Sequence, residues 1–332
     1  MTSVSFSPDG RFIATGGRDG RVKLRHGYTG RPLPAFKGRG HDHLVGCVAF
    51  SPDGNFIASG GHDDAVRLWE VRSGHEAPGF RPPFLKGSID CIAFSPDGRF
   101  LAAGGWDGAL TLLHAKTGWI VSNFFGKGHS QAVHGLAFSP DGRRLATAGR
   151  DATVRIWDSC SGRTVLVLKE GHLRAVRAVA FGTDGNQLAS GGCDQDLVLW
   201  DAGRERPAPD FDGKGHEGAI TSIAFSPDGR SIATAADDHT VRVWHAGNGS
   251  CARGIRYGSP VDSIAFSPDG KRIAAGGWDG ELHLWVLERG FLQDGPGREF
   301  DVRKGRCRKC GSLLGLLERL AGTGICRGRR CR

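Results

Sequence analysis

Residues 128–158 read GHSQAVHGLAFSPDGRRLATAGRDATVRIWD, and nearly the same pattern recurs along the chain. Within it, Val133 and Gly135 to Phe138 form a short apolar run that ends in a turn. Pro140-Asp141-Gly142 is turn chemistry: proline presets φ at the first central position, and glycine accepts a positive φ. Arg144 to Ala148 makes a second run, closed by Gly149-Arg150-Asp151. Thr153 to Trp157 alternates and is rich in β-branched residues, as a third strand should be. After the Ser161-Gly162 turn, Val165 to Leu168 makes a fourth. The stretch therefore predicts four short antiparallel strands.

The Ser-Pro-Asp-Gly phrase fixes the period. It stands at Ser7, Ser51, Ser95, Ser139, Ser226 and Ser267, with a degraded copy, Gly-Thr-Asp-Gly, at Gly182. Successive copies are 44, 44, 44, 43, 44 and 41 residues apart. A fixed period in this range means a repeat architecture, and four strands per period is one blade of a β-propeller. The first 300 residues carry no sustained helical period, which excludes helical repeats. The expected fold is all-β, a seven-bladed propeller over residues 1–302, followed by a small Cys-rich module over 303–332.

The repeats resemble the WD40 family. Four copies carry Gly-His before the first strand, with His41, His129, His172 and His216 each four residues ahead of Val45, Val133, Val176 or Ile220. Four end the third strand in Trp69-Glu70, Trp157-Asp158, Trp200-Asp201 and Trp244-His245. The resemblance implies a buried hydrogen-bonded tetrad in each complete blade: His41, Ser59, Asp63, Trp69; His129, Thr147, Asp151, Trp157; His172, Ser190, Asp194, Trp200; His216, Thr234, Asp238, Trp244. Blades 3 and 7 lack the histidine, with Ser88 and Ser259 read in its place, and have Ala103 and Ala275 where the hydroxyl should be. Joint loss is physically reasonable: an orphaned buried hydroxyl costs about 1–3 kcal/mol, whereas losing both partners can be nearly neutral. The four histidines are thus framework. Repeated equivalent positions in different blades cannot converge on one metal or one catalytic centre.

Blade 1 departs most. No Gly-His precedes its first strand, and Arg25 stands where Trp is expected. Relatives of this kind commonly close by letting an N-terminal strand complete the last blade. Here blade 7 is expected to take an outer strand from Glu299 to Val302 or to stay incomplete, or else the chain is a fragment of a longer protein. The prolines of Gly79-Phe80-Arg81-Pro82-Pro83 and of Arg204 to Pro209 read as edge protection.

The net charge of +9 is not spread over the repeats. Residues 303–332 hold 10 Lys and Arg and one acid, Glu318; residues 1–302 carry 34 of each sign. Cys47 and Cys91 occupy a small-residue position of the first strands, and Cys160, Cys193 and Cys251 are scattered; these five read as reduced thiols. The other four lie in the tail. Cys307 and Cys310 form Cys-x2-Cys-Gly, a Leu-rich stretch follows, and Cys326 and Cys331 are spaced Cys-x4-Cys. Two thiolate pairs at this separation suit a structural Zn²⁺, and the tail resembles small zinc-ribbon-like modules. The last spacing is wider than the usual two residues. A basic module of this kind also makes nucleic acid a candidate partner, although 303–332 contains no aromatic residue for base stacking. No charged-then-apolar leader and no membrane-length run is present, so the expectation is a cytoplasmic, monomeric propeller with no membrane contact.

The family resemblance places partner contacts on the face formed by the loop before the first strand and the turn before the third. The residue ahead of the turn Asp points there: Arg18, His62, Trp106, Arg150, Cys193, Asp237 and Trp278. A second ring comes from the first strands: Gly46, Asp90, His134, Arg177, Thr221 and Asp262. Trp106 and Trp278 sit in identical Gly-Gly-Trp-Asp-Gly turns and share a blade with Asp90 and Asp262, a composition common in binding hot spots. The partner-binding set is therefore Trp106, Trp278, Asp90, Asp262, His134, Arg150, Arg177, Arg18 and His62. No phosphate loop, nucleophile–base pair or carboxylate dyad rises above the repeat background. The functional expectation is a non-catalytic protein-interaction scaffold or sensor. The alternatives are nucleic-acid binding through the tail, or the sensor end of a larger signalling ATPase or kinase.

Overall fold

The computed structural model describes residues 1–287, apart from 35, 37–39, 124–127, 204, 205 and 209, together with the backbone of two short strands, Phe300–Asp301 and Arg306–Cys307. Residues 1–286 form seven antiparallel sheets in chain order, one per repeat. The inner strands are Ser3–Phe6, Val45–Phe50, Ile89–Phe94, Val133–Phe138, Val176–Phe181, Ile220–Phe225 and Val261–Phe266. Each lies against the next, and Ser3–Phe6 lies against Val261–Phe266, which closes the circle.

Sheets 3, 4 and 6 have four strands; sheets 1, 2, 5 and 7 have three. Among the described residues, the outer segments of sheets 1, 2 and 5 carry a single bridge each: Arg25 with Pro32, Trp69 with Glu76, Trp200 with Pro207. Two of these bridges fall on a proline, which has no N–H to extend the ladder. Of the expected outer strand of blade 7, Glu299 to Val302, only Phe300 and Asp301 lie among the described residues. Phe300–Asp301 lies near the third strand of that blade, but its hydrogen-bonded partner is Arg306–Cys307.

The core is built between blades. Ala14, Ala58, Ala102, Ala146, Ala189, Ala233 and Ala274 occupy one register of all seven second strands, and each is fully buried. Only a small side chain fits there, where neighbouring sheets converge. The Ser-Pro-Asp-Gly turns form a second continuous ring at one end. In blade 4, Ser139 Oγ donates to Asp141 Oδ1 at 2.6 Å, and the Arg143 N–H donates to the same carboxylate oxygen at 3.0 Å. Gly142 has φ +71°, and a Cβ there would stand 3.4 Å from Pro96 of the preceding turn. The same proline-to-glycine contact runs from turn to turn and closes from Pro268 to Gly10. In the degraded blade 5 copy, Thr183 takes the proline's place against Gly229.

The four tetrads form as the sequence implies. In blade 5, His172 Nδ1 bonds Asp194 at 2.8 Å, Ser190 Oγ bonds His172 Nε2 at 2.7 Å, and the Trp200 indole donates to Ser190 Oγ at 2.7 Å. An indole N–H can only donate and a carboxylate can only accept. Asp194 therefore accepts a proton carried on Nδ1, and Ser190 Oγ, which accepts from the indole, is shared with Nε2. Blades 2, 4 and 6 repeat the geometry with His41, His129 and His216. Burial holds His41 and His216 below the ordinary histidine pKa, against the pull of Asp63 and Asp238. The four aspartates lie below the ordinary carboxylate range. Burial alone would raise them, but the imidazole hydrogen bonds, Thr153 and Thr240 in blades 4 and 6, and one backbone N–H in each blade outweigh it.

Blades 3 and 7 correct one expectation. Counting back four residues from Ile89 and Val261 places Leu85 and Tyr257, not Ser88 and Ser259, in the histidine slot. Leu85 packs on the core between blades 2 and 3. The Tyr257 hydroxyl lies 3.0 Å from Asp279 Oδ1, at the same 22-residue offset that joins His41 to Asp63. His283 Nε2 supplies the second contact to Asp279, at 2.9 Å. In these two blades the glycine follows the slot, as Gly87 after Leu85 and Gly258 after Tyr257, whereas in the four complete blades it precedes the histidine.

Candidate functional site

The inner strands begin at the face opposite the Ser-Pro-Asp-Gly ring, and the second strands end there. Ile89 pairs with Gly105 and Val261 with Gly277, so Asp90 neighbours Trp106 and Asp262 neighbours Trp278. In blades 2 to 7 the ladder register slips by one residue at this point. The residues skipped are Gly46, Asp90, His134, Arg177, Thr221 and Asp262. A β-bulge leaves one residue out of the pairing and re-aims its side chain, a device common beside binding sites. The second ring of candidates is therefore a ring of bulges. The structure brings the two rings together on one face.

Contacts on this face cross from blade to blade. His62 Nε2 donates to Asp90 Oδ1 at 3.1 Å, and His134 Nδ1 donates to Asp90 Oδ2 at 3.3 Å, so one half-buried carboxylate ties three successive blades. Arg177 and Asp237 form an ion pair at 2.9 Å between blades 5 and 6. The Trp278 indole N–H donates to Asp262 at 3.1 Å, and the Arg18 guanidinium of blade 1 lies over the Trp278 ring, 4.5 Å from its centroid. Burial pushes the Asp262 carboxyl above its ordinary pKa, against the Trp278 hydrogen bond and the nearby Arg18 and Arg177 charges. An open depression of about 530 Å³ between blades 1 and 3 is lined by Arg18, Asp42, His43, His62 and Ser88.

The two tryptophans share exposure but not surroundings. Trp106 is 58% exposed and Trp278 59%. Among the described residues, the Trp106 indole N–H makes no hydrogen bond and no cation lies over its ring. Arg150 is exposed and makes no ion pair among them. These inter-blade contacts were not foreseen from the sequence, since no local signal shows which blade's turn will meet which inner strand.

The arrangement holds polar groups at fixed positions on one face of the ring. Among the described residues no group of three His, Cys, Asp or Glu side chains is placed to hold a metal ion. The expected zinc ligands Cys310, Cys326 and Cys331 lie outside the described residues, as does the Cys307 side chain.

A family model described as WD domain, G-beta repeat matches residues 1–25, 30–70, 82–112, 120–158, 162–201, 210–245 and 250–286. No curated protein matches the chain.

Proposed function

Starting from the premise that this chain belongs to the WD40 family, we propose that it is a non-catalytic interaction scaffold whose bulge-ring face receives a protein partner. The observation that carries this reading is the pair of tryptophans, each more than half exposed on one rigid face beside fixed carboxylates and cations. Exposed tryptophan and arginine are the residues on which binding energy concentrates. The opposite end is occupied by turns whose serines and aspartates bond one another. The test is affinity capture from the source cell with wild-type protein and with Trp106→Ala/Trp278→Ala. Partners held by wild type and lost by the double variant support the face; unchanged capture refutes it.

The tail supports a separate proposal from sequence alone. Cys307, Cys310, Cys326 and Cys331 hold one structural Zn²⁺, and the surrounding basic residues offset the thiolate charge. Metal analysis of untagged protein under reducing, non-chelating conditions should give about one zinc per chain, and a ratio near zero removes the site. The concentration of positive charge in 303–332 also favours nucleic acid as a second class of partner. A salt-dependent mobility shift that disappears on deleting 303–332 would select that reading.

A further inference from the structure

The chain contains two copies of one local arrangement, and only one of them is filled. Blade 7 has the Gly-Gly-Trp-Asp-Gly turn, the bulge carboxylate Asp262, and a guanidinium, Arg18, supplied by the next blade in the ring. Blade 3 has the same turn around Trp106 and the same bulge carboxylate, Asp90. The next blade supplies an arginine at the equivalent position, since Arg150 precedes Asp151 as Arg18 precedes Asp19.

The neighbours account for the difference. Asp262 is free to accept the Trp278 indole N–H, which fixes that ring under Arg18. Asp90 is already taken by His62 and His134, one from each side. Trp106 is thereby left without its hydrogen-bonded anchor. Its ring stands open, next to the exposed carboxylate of Asp107, whose Oδ1 accepts only the Ala109 N–H among the described residues. A π face beside carboxylates attracts a cation, and a planar guanidinium suits it better than an ammonium because it also stacks.

We propose that Trp106 is a receptor for an exposed arginine side chain of a partner protein, with Arg18 on Trp278 as its internal counterpart. The proposal rests on the interaction-face reading and adds the chemistry of the ligand. Arg150 is the intramolecular competitor for the same ring.

The experiment uses the full chain, ¹⁵N-labelled, and follows the tryptophan indole signals during titration with acetyl-Gly-Arg-Gly-amide. The lysine and glutamate analogues serve as comparisons. Single variants assign the signals. The arginine peptide should shift the Trp106 signal saturably, the lysine analogue should do so less, and the glutamate analogue should not. Trp106→Ala should weaken binding by about two- to fivefold or more, the worth of one exposed cation–π contact. Trp106→Phe, which keeps a ring, should retain part of it. Arg150→Ala should tighten binding, and Arg18→Ala should make Trp278 respond as a second site. A stationary Trp106 signal overturns the proposal, and so does an equal response to the lysine or glutamate peptide. If Trp106 is stationary while the double tryptophan variant still loses its captured partners, this proposal falls and the interaction face stands. If capture is also unchanged, both fall.

Discussion

Arg272 should be the residue on which ring closure depends most. It starts the second strand of blade 7 and is 3% exposed. Its Nη1 donates across the seam to the carbonyls of Gly27 at 2.7 Å and Gly10 at 3.3 Å, and its guanidinium lies 3.9 Å from the centroid of the Tyr28 ring. On its own blade it pairs with Asp269 at 3.1 Å. Both glycines are required: a Cβ on Gly27 would come within 2.2 Å of the Gly10 oxygen, and one on Gly10 would crowd Arg272 at 3.1 Å. Among the described residues no strand is exchanged across the seam. Besides Arg272, the seam has the Val4 N–H donating to Ser263 Oγ at 3.0 Å, the Met1 nitrogen donating to the Gly277 carbonyl, and an apolar cluster of Met1, Val4, Phe6, Ile13, Ala274, Leu282 and Leu284.

The magnitude follows from these contacts. Two charge-assisted hydrogen bonds contribute about 1.5–3 kcal/mol each, and a desolvated cation–π contact up to about 2. Removing the cation also relieves several kcal/mol of desolvation. Arg272→Ala should therefore cost about 2–4 kcal/mol. Arg144 provides the internal control. It holds the equivalent position of blade 4 and makes one such bond, to the Ala202 carbonyl at 3.0 Å, from a half-buried site. Arg144→Ala should cost about 1 kcal/mol. Equilibrium urea unfolding followed by tryptophan fluorescence gives both values. Hydrogen exchange should show the Val4 amide opening faster in Arg272→Ala, with amides at the blade 4–5 seam unchanged. A cost no larger than that of Arg144→Ala, or equal exchange at the two seams, would show that the clasp does not hold the ring.

Three further outcomes are expected. Ser190→Ala leaves His172 Nε2 and Trp200 Nε1 without the hydroxyl they share, and should cost about 2–6 kcal/mol at about 1–3 per orphaned group. Ser190→Thr copies blades 4 and 6 and should be near neutral, both read by urea unfolding. Acidification should lower the thermal midpoint in two stages. The fold holds His41 and His216 below the ordinary value near about 6.5, so the unfolded chain takes up their protons first and stability falls as pH drops below that value. The tetrad aspartates are depressed too, so their contribution is present above about pH 4 and is lost as pH falls through their lower folded values. A midpoint that rises between pH 7 and 5 would contradict the lowered histidine values. In alkylation of native protein at pH 8, peptide mapping should find Cys160 and Cys251 modified. Cys47 and Cys91, whose thiols are fully buried and pushed up by desolvation, should react only after unfolding.

The seven repeats, their strands and the four complete tetrads were legible in the sequence because their partners lie in one blade at fixed offsets. His41 reaches Ser59 and Asp63 at offsets of 18 and 22, and His129, His172 and His216 repeat both. One copy therefore checks another without coordinates. The same logic failed at Tyr257, where the glycine stands one residue after the slot while the slot keeps its 22-residue offset to Asp279. The chemistry of the candidate face belongs to tertiary structure. Arg18 meets Trp278 only because the ring closes, Asp90 meets His62 and His134 only because three blades stand in order, and Arg272 spans 245 residues to reach Gly27. The bulges that turn Asp90 and Asp262 toward this face leave no mark in composition. Local periodicity specifies a blade, because its strands pair with sequence neighbours. Which side chains meet on this face is set by ring geometry, which places residues from different repeats side by side.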